Sequence, residues 1–590
     1  MDMTKRTLMS AVAATAAGAA AFTLPPDKAL AVDAPRLPTG SDANESWARG
    51  KQLIHENKEV LASFRLRTVT MGLNLLGAID SDPAKMKAAV NARLTAELPV
   101  FNQAITDVLD DLSKELSLNA EDLLQTRRAA ITPIETMVRS MVQANGGNTA
   151  ATRRLIVDFA SFVDKRVSEL IVLPAKSGQG VFLGGAGILA ERGLSSEQEA
   201  YLAALPEVLK NTSTFNVDFS VGSTRSGIFL DSVRAAARVT RQVGRADMEY
   251  TKQMIPNPDD PSTWKITPEQ MDAYTISKKS IQSAHPNAHV YPYFSNLARM
   301  AVFANPPQEN PFMAGGFSGL SAPSRTVSIG VNGAGVMQKA ILATRSNSIN
   351  DILQSVKHYS GIMYEVAERV RFEVIRRMTD KKVAIGEADG IVDLSIAATN
   401  DRDAQGKPTN SVASALAALG VQAGAYGSVA AVGMLIDAIK KAGSARTTYA
   451  GGLSGTFIPI SEDAGMADAV AAGWLTYPRF LSMTAVCSVG TDMFFAHWPA
   501  SVSDEAFEAQ VAGMLLDEMA IGVYTNKTTS SRILPVPYAY DPNRWVVLMG
   551  GGGLLGNAPV MDMQFSELPP PSVFINRLGA LPAPLTSFRN

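Results

Sequence analysis

Apolar and polar side chains follow two different periods along the chain, and these periods alternate. Residues 215–222 (FNVDFSVG) alternate apolar and polar side chains, which predicts a strand, whereas residues 228–243 repeat apolar positions at helical spacing. Further strands are predicted at residues 64–71, 171–174, 300–305, 326–331, 391–397, 544–549 and 559–563. Helical stretches separate most of them, which predicts an α/β fold with βαβ units around an open sheet or a barrel.

Some stretches depart from this alternation. Pro99 divides the helical pattern of residues 84–116, so two helices are predicted there. Residues 244–291 lose the pattern and contain turn-forming Pro, Asn and Asp, which predicts a surface insertion in the form of a flexible loop. A linker and a charged amphipathic helix are predicted over residues 32–63. The remaining residues 64–590 are predicted to form a single domain.

The first residues have the pattern of an export signal. Lys5 and Arg6 precede an uncharged, alanine-rich stretch, and Ala29-Leu30-Ala31 has the small-x-small spacing of a cleavage site. The stretch is shorter than the ~20 apolar residues of a spanning helix. Residues 1–31 are therefore predicted to be a removable signal, possessing a weakened twin-arginine pattern, that sends the protein to the bacterial periplasm. The alternative is an alanine-rich leader on a cytosolic protein.

Composition restricts the possible partners. The net charge is −2 and no basic stripe occurs, so nucleic acid is not expected as a partner. No later stretch predicts a membrane span. The 5 histidines are scattered without zinc-ligand spacing, and the single cysteine, Cys487, excludes an intramolecular disulfide. A small-molecule ligand remains as the expected partner.

Polar segments that follow predicted strands are candidates for a binding site, because ligands bind at the carboxyl ends of parallel strands. Ser223, Thr224 and Arg225 begin a helix and suit an anion, although a plain helix cap with a solvated arginine explains them equally. The proline-rich loop after residue 304 carries further candidates. There Glu309 suits a general base or a Mg²⁺ or Ca²⁺ ligand, and Asn305 and Asn310 suit substrate binding, unless the loop is only a rigid turn.

Candidate acids and a candidate nucleophile lie further along the chain. Ser454 follows a glycine pair, and Glu462 with Asp463 offers paired carboxylates for acid–base chemistry or for an oxygen-ligated metal. Ordinary helix capping is the alternative for Asp463 and its neighbours. Cys487 is a candidate nucleophile, although a lone cysteine is more often a small buried apolar residue.

A polar cluster after the last long helix completes the candidates. Asn526, Lys527 and Arg532 are expected to bind substrate and to neutralise its charge, with solvent exposure as the alternative. Asp517 and Glu518 lie near the end of that helix, where the helix dipole disfavours negative charge. This conflict indicates a site nearby.

These segments closely resemble one family, the domain-of-unknown-function 711 or pyruvate formate-lyase-like proteins. The resemblance covers roughly residues 64–590 and rests on RTVTMGLNLL, VGSTRSGI, VFANPPQENPFMAG, GIVDLSIAAT, GGLSGTFIPISEDAGM, MTAVCSVGTDM, DEMAIGVYTNKTT, GGLLGNAPVM and PAPLTSFRN. It implies a ten-stranded α/β barrel similar to that of pyruvate formate-lyase, without implying that enzyme's activity.

The resemblance also raises the question of a glycyl radical. The family to which that enzyme belongs carries an R-V-x-G-Y-like motif near the C-terminus, and here Arg577-Leu578-Gly579-Ala580 does not meet it. Export would also separate the chain from an activating enzyme. A glycyl radical is therefore not expected, and the cofactor is left open, with Mg²⁺ or Ca²⁺ as the candidates.

Three functional hypotheses remain. The first is an exported enzyme that acts on a small polar or anionic molecule in a barrel pocket by carboxylate acid–base or metal chemistry. The second is a non-enzymatic ligand-binding or scaffold protein on an enzyme-derived barrel. The third is a homo-oligomer whose glycine-rich C-terminal region forms the interface.

Overall fold

The computed structural model describes residues 41–119, 123–132, 149–171, 180–307, 325–344, 346–385, 390–396, 399–537, 544–550, 556–563, 577 and 579–583. Its helices are α1 (Ser41–Glu56), α2 (Lys58–Leu61), α3 (Pro83–Leu116), α4 (Thr149–Leu170), α5 (Ser196–Asn211), α6 (Leu230–Met254), α7 (Pro268–Ala284), α8 (Ala334–Ala343), α9 (Ile349–Asp380), α10 (Val412–Ala418), α11 (Ser428–Arg446), α12 (Ala464–Ala471), α13 (Tyr477–Thr484) and α14 (Asp504–Thr525).

The strands are β1 (Arg65–Asn74), β2 (Leu124–Thr132), β3 (Gly180–Leu189), β4 (Phe215–Ser223), β5 (Gly227–Phe229), β6 (His289–Tyr293), β7 (Met300–Ala304), β8 (Arg325–Asn332), β9 (Val392–Ile396), β10 (Gly455–Thr456), β11 (Ile458–Pro459), β12 (Gly490–His497), β13 (Thr529–Val536), β14 (Arg544–Leu548), β15 (Asn557–Pro559) and β16 (Ala580–Leu581). The mixed α/β fold predicted from the sequence is confirmed. Among the residues described above, no helix is both long and apolar enough to cross a bilayer.

One mixed sheet contains most of the strands, in the order β10-β9-β8-β1-β2-β3-β4-β7-β13-β12-β11. Strands β1, β2, β3, β4 and β7 are mutually parallel, as are β8 with β9, β9 with β10, and β11 with β12 and β13. Strands β8, β9 and β10 and strands β11, β12 and β13 run opposite to the first group, because β1 pairs antiparallel with β8 and β7 pairs antiparallel with β13. The sheet therefore consists of two parallel halves of opposite direction.

Helices cover the sheet through apolar faces. Helix α3 buries Met86, Val90, Leu94, Leu98 and Phe101, which recur every three or four residues. The helix runs unbroken through Pro99, so the predicted division into two helices is wrong. A proline inside a helix costs about 3 kcal/mol, and the apolar face that continues on both sides of it offsets this cost.

The segment predicted as a flexible loop is largely regular. Helix α6 continues through Gly244 to Met254, and α7 and β6 follow within the same stretch. Strand β6 pairs with β14, which in turn pairs with β15, in a separate small sheet. The flexible-loop prediction is therefore wrong, because the polar faces of α6 and α7 conceal their helical period. Whether residues 244–291 are an insertion stays a prediction.

Candidate functional site

Four charged side chains lie together within the main sheet, and we call them the interior cluster: Arg67, Glu462, Asp492 and Arg532. Arg532 on β13 grips Asp492 on β12 with two hydrogen bonds, from Nε to Oδ1 at 2.5 Å and from Nη2 to Oδ2 at 2.8 Å. Both side chains are buried. Such a bidentate pair fixes the orientation of both groups and stabilises both charges.

Glu462 joins this pair to Arg67 on β1. Its Oε2 accepts a hydrogen bond from Arg67 Nη2, and its Oε1 lies 3.4 Å from Arg532 Nη2. Burial and the nearby Arg532 charge lower the pKa of Arg67 to about 10, and Asp492 partly opposes this shift. The side chain of Arg67 is 15% exposed, whereas that of Asp492 is 0% exposed. The cluster therefore has an open end, Arg67 with Glu462, and a closed end, Arg532 with Asp492.

The backbone beside the closed end is irregular. The pairing of β12 with β13 shifts register between Thr491 and Phe494, and Met493 has a φ of 48°. A left-handed conformation is costly for a residue with a long side chain and often occurs next to functional groups. The irregularity lies directly after Asp492.

An apolar cluster adjoins the open end. Phe457, in the single residue between β10 and β11, packs in a buried group with Phe303, Leu453 and Val489. The guanidinium carbon of Arg67 lies 5.6 Å from the centroid of the Phe457 ring. A guanidinium over an aromatic face is held in place without losing all of its hydrogen-bond donors.

A second group of polar side chains lies between α13, α14 and the start of β12. Thr484 Oγ1 donates to Glu518 Oε2 at 2.9 Å, and Lys527 Nζ donates to the Thr484 carbonyl at 2.8 Å. Burial raises the pKa of Glu518 to about 7, although Lys527 and Thr484 oppose the shift. Burial also raises the pKa of the Cys487 thiol. Cys487 is thus buried beside this group in its uncharged thiol form.

Asn305, directly after β7, connects the end of this strand to Thr224 and to the C-terminal end of α14. Its side chain donates to Thr224 Oγ1, to the Gly522 carbonyl and to the Lys527 carbonyl, each at 3.0 Å, and it accepts from Thr224 N at 2.7 Å. Asn526 caps α14 with a φ of 52°. The structure therefore brings Asn305, Thr224 and Lys527 together, with hydrogen bonds that tie the end of β7 to α14.

The remaining candidates are more dispersed. Asp463 caps α12, because it accepts hydrogen bonds from Gly465 N, Met466 N and Val412 N at 2.7–2.9 Å. Ser454 Oγ donates to the Gly451 carbonyl at 2.7 Å and accepts from Leu394 N.

Near the start of β5, Ser223 and Ser226 share a hydrogen bond of 2.7 Å, and Arg225 is exposed. Glu309 and Asn310 lie outside the described residues.

Sequence reasoning included Glu462 and Arg532 but omitted Arg67 and Asp492 from the site. The available signal was a charge inside an otherwise apolar or hydroxyl-rich stretch, Arg67 in FRLRTVTM and Asp492 in GTDMFFA. A charge at such a position is costly unless it is paired. Over the described ranges, no group of three or more His, Cys, Asp and Glu side chains is arranged to hold a metal ion.

Most of the chain matches one family. The sequence profile of the family described as "Uncharacterised ACR (DUF711)" matches residues 60–255 and 268–541. A UPF0210 protein of Acetivibrio thermocellus is 32% identical over 544 residues, which cover 92% of this chain and 98% of that protein. A UPF0210 protein of Clostridium beijerinckii is 32% identical over 528 residues, which cover 89% and 96%.

Among solved structures, anaerobic ribonucleotide reductase from Thermotoga maritima aligns with the chain at low similarity. Its structure with citrate in the active site has a TM-score of 0.37 at 9% identity, over 83% of this chain and 88% of that chain. Its structure with dATP and CTP has a TM-score of 0.33 at 8% identity, over 88% and 87%. This likeness assigns no activity. The sequence relationships confirm the resemblance inferred from the motifs: the chain belongs to the DUF711 family.

Proposed function

We propose that the protein is an enzyme that binds a small polar anion at the interior cluster and transforms it by carboxylate acid–base chemistry. The observation that carries the proposal is the arrangement of Arg67, Glu462, Arg532 and Asp492, one part-buried and one buried guanidinium with two carboxylates, from three strands and the short turn after β11. Buried charge of this kind is costly to maintain. Such groups are concentrated at functional sites, where a charged ligand or a reaction needs them.

Each member of the cluster has a distinct role in this proposal. The substrate anion replaces Glu462 at the Arg67 guanidinium, which is the more exposed of the two arginines. Glu462 then transfers a proton to or from the bound molecule while Arg532, at 3.4 Å, stabilises its charged form. Asp492 holds Arg532 in a fixed orientation through its two hydrogen bonds. Glu309, in the proline-rich sequence that follows β7 and outside the described residues, is proposed as a further base or metal ligand.

We also infer that the main sheet closes into a barrel. The two ends of its strand order are β10 and β11, and these are separated in sequence only by Phe457. One short segment thus pairs with β9 on one side and with β12 on the other. If β10 and β11 count as one strand, the path is a ring of about ten strands, which supports the predicted barrel and its enclosed pocket.

A comparison of metabolite consumption tests the enzymatic proposal. The full chain and its Glu462→Gln variant are incubated with a cell extract, and small acids are followed by mass spectrometry. We expect at least one acid to be consumed about 100-fold more slowly by the variant.

Glu373→Gln is the matched control, because Glu373 is also a buried carboxylate held by two arginines, on α9. Consumption should be normal in this control. Equal consumption by wild type and Glu462→Gln contradicts the proposal, and binding without consumption favours a ligand-binding protein.

We further propose that the protein is an exported member of its family. The family profile starts at residue 60, so the predicted signal lies wholly outside it. Cell fractionation and the intact mass of the purified chain test this proposal. Export predicts a periplasmic chain that begins directly after Ala31, whereas a cytoplasmic chain that retains residues 1–31 contradicts it.

A further inference from the structure

A second polar site lies away from the interior cluster, in a cavity of about 460 Å³ between α7, α10 and α12. His285, Lys407 and Asp468 supply its charged or titratable side chains. Val421, Trp474 and several alanines supply an apolar wall. Trp474 is 55% exposed, so its indole is accessible to a ligand in the cavity. The cavity thus combines a polar end with an apolar body.

Asp468 organises the polar end. Arg402 grips it with two hydrogen bonds, from Nη1 to Oδ2 at 2.9 Å and from Nη2 to Oδ1 at 2.6 Å, and His285 Nε2 lies 2.7 Å from its Oδ1. The side chain of Arg402 is only 4% exposed, whereas those of Asp468 and His285 are 25% and 29% exposed. The imidazole is therefore held by Asp468 on one side and by the Trp545 ring, whose centroid lies 4.9 Å away, and it stays partly exposed.

A tight turn brings Lys407 to the same cavity. Asp403 Oδ1 accepts hydrogen bonds from Gln405 N and Lys407 N, both at 2.9 Å. Gly406 has a φ of +76°, and a Cβ there would lie 2.9 Å from the backbone of Ser283 on α7. Glycine at this position therefore allows the turn to pack directly against the end of α7, next to His285.

The charges at the polar end do not cancel within the cavity. Arg402 neutralises Asp468, so Lys407 is left as the additional positive charge among the lining side chains. Over the described part of the chain, His285 Nδ1 has no hydrogen-bond partner. An anionic group placed there gains Lys407 as a cationic neighbour, with the His285 imidazole beside it.

We propose that this cavity binds a small organic acid with an apolar or aromatic body. The carboxylate lies between Lys407 and His285, and the body contacts Val421 and Trp474. This site is independent of the interior cluster, because none of its lining residues belongs to that cluster.

Binding of phenylacetate to the full chain tests this inference by titration calorimetry and thermal unfolding. Phenylacetate should bind at millimolar concentration and raise the midpoint of unfolding. Phenylacetamide, which lacks the charge, and acetate, which lacks the body, should each bind about 10-fold more weakly. Lys407→Gln should weaken phenylacetate binding about 10-fold, and Ala417→Leu should also weaken it because the larger side chain narrows the cavity.

Two controls separate this site from other effects. Lys441→Gln removes an exposed lysine that pairs with Asp437 outside the cavity, and it should bind normally. Glu462→Gln should also bind normally, so failure of the proposed enzymatic function leaves this result intact. The inference is overturned if phenylacetate does not bind, if the amide binds equally well, or if Lys407→Gln and Ala417→Leu both bind like the wild type.

Discussion

Two buried glutamates each lie between two arginines, and the two groups differ in the exposed fraction of the arginine side chains. Glu373 on α9 accepts hydrogen bonds from Arg376 and Arg377, whose side chains are 34% and 18% exposed. Glu462 lies between Arg67 and Arg532, which are 15% and 7% exposed. Arg376 also contacts Asp380 on the same helix, and Arg377 contacts Asp111, so the Glu373 group joins α9 to α3.

The difference separates a structural ion pair from a candidate site. Arg376 keeps more of its hydration than either arginine of the interior cluster, so the Glu373 group forms at a lower desolvation cost. The interior cluster gives up that hydration, and a buried pair of this kind is often no more stable than apolar side chains of similar size. Stability alone therefore does not account for the interior cluster, which is the reason for the proposal that it binds a charged molecule.

Asp492→Asn is expected to give the largest effect. The substitution leaves Arg532 buried without its carboxylate, which should lower the free energy of unfolding by about 3–5 kcal/mol. Glu373→Gln should cost about 1 kcal/mol, because its arginines are partly solvated. Urea unfolding measures both. Equal losses in the two variants would remove the distinction between the two groups.

The pH dependence of the free energy of unfolding should reveal the raised pKa of Glu518 in the second group of polar side chains. Burial raises the pKa of Glu518 to about 7, whereas an unfolded glutamate ionises near about 4.3. Between these values the unfolded chain has released a proton that the folded chain keeps, so the free energy of unfolding falls as pH rises from about 4.3 to about 7. This contribution is about 4 kcal/mol at most.

Glu518→Gln should remove that contribution. Urea unfolding at about pH 5 and about pH 8 should show a smaller decrease for the variant than for the wild type. The result extends the comparison of Glu373 with Glu462, because Glu518 is a buried carboxyl whose described contacts include no arginine. An identical decrease in both proteins contradicts a protonated Glu518.

Replacing a whole ion pair by apolar residues should have the smallest effect on stability. The double variant Arg67→Met with Glu462→Leu removes both charges at the open end, so its free energy of unfolding should stay within about 1–2 kcal/mol of the wild type. Any consumption of an anionic substrate should nevertheless be lost. A double variant that retains consumption shows that the open end is not the site.

Strand and helix positions were predictable where the apolar period was clear. Strands β4 and β9 and helix α9 follow their patterns closely. Strand β13 was missed, because Thr529, Ser530, Ser531 and Arg532 interrupt its apolar period with polar side chains that are nevertheless buried. Its neighbour β12 was missed as well, because the segment around Cys487 was interpreted only as a candidate site.

The site was only partly predictable, since its residues are far apart in sequence. Glu462 was recognised in a polar segment at a strand's end and Arg532 in a polar cluster after a helix, but their contact depends on the pairing of β11, β12 and β13. Arg67 is 395 positions from Glu462 in the chain. No local pattern encodes such a contact, because the register of the sheet creates it.

A crystal structure of the protein purified from its own cells, with its native ligand retained, tests the central claim most directly. The account predicts a small anion within hydrogen-bond distance of the Arg67 guanidinium, with Glu462 turned away from Arg67 and the pair of Arg532 with Asp492 unchanged. A ligand bound elsewhere, with Arg67 still hydrogen-bonded to Glu462, would contradict it.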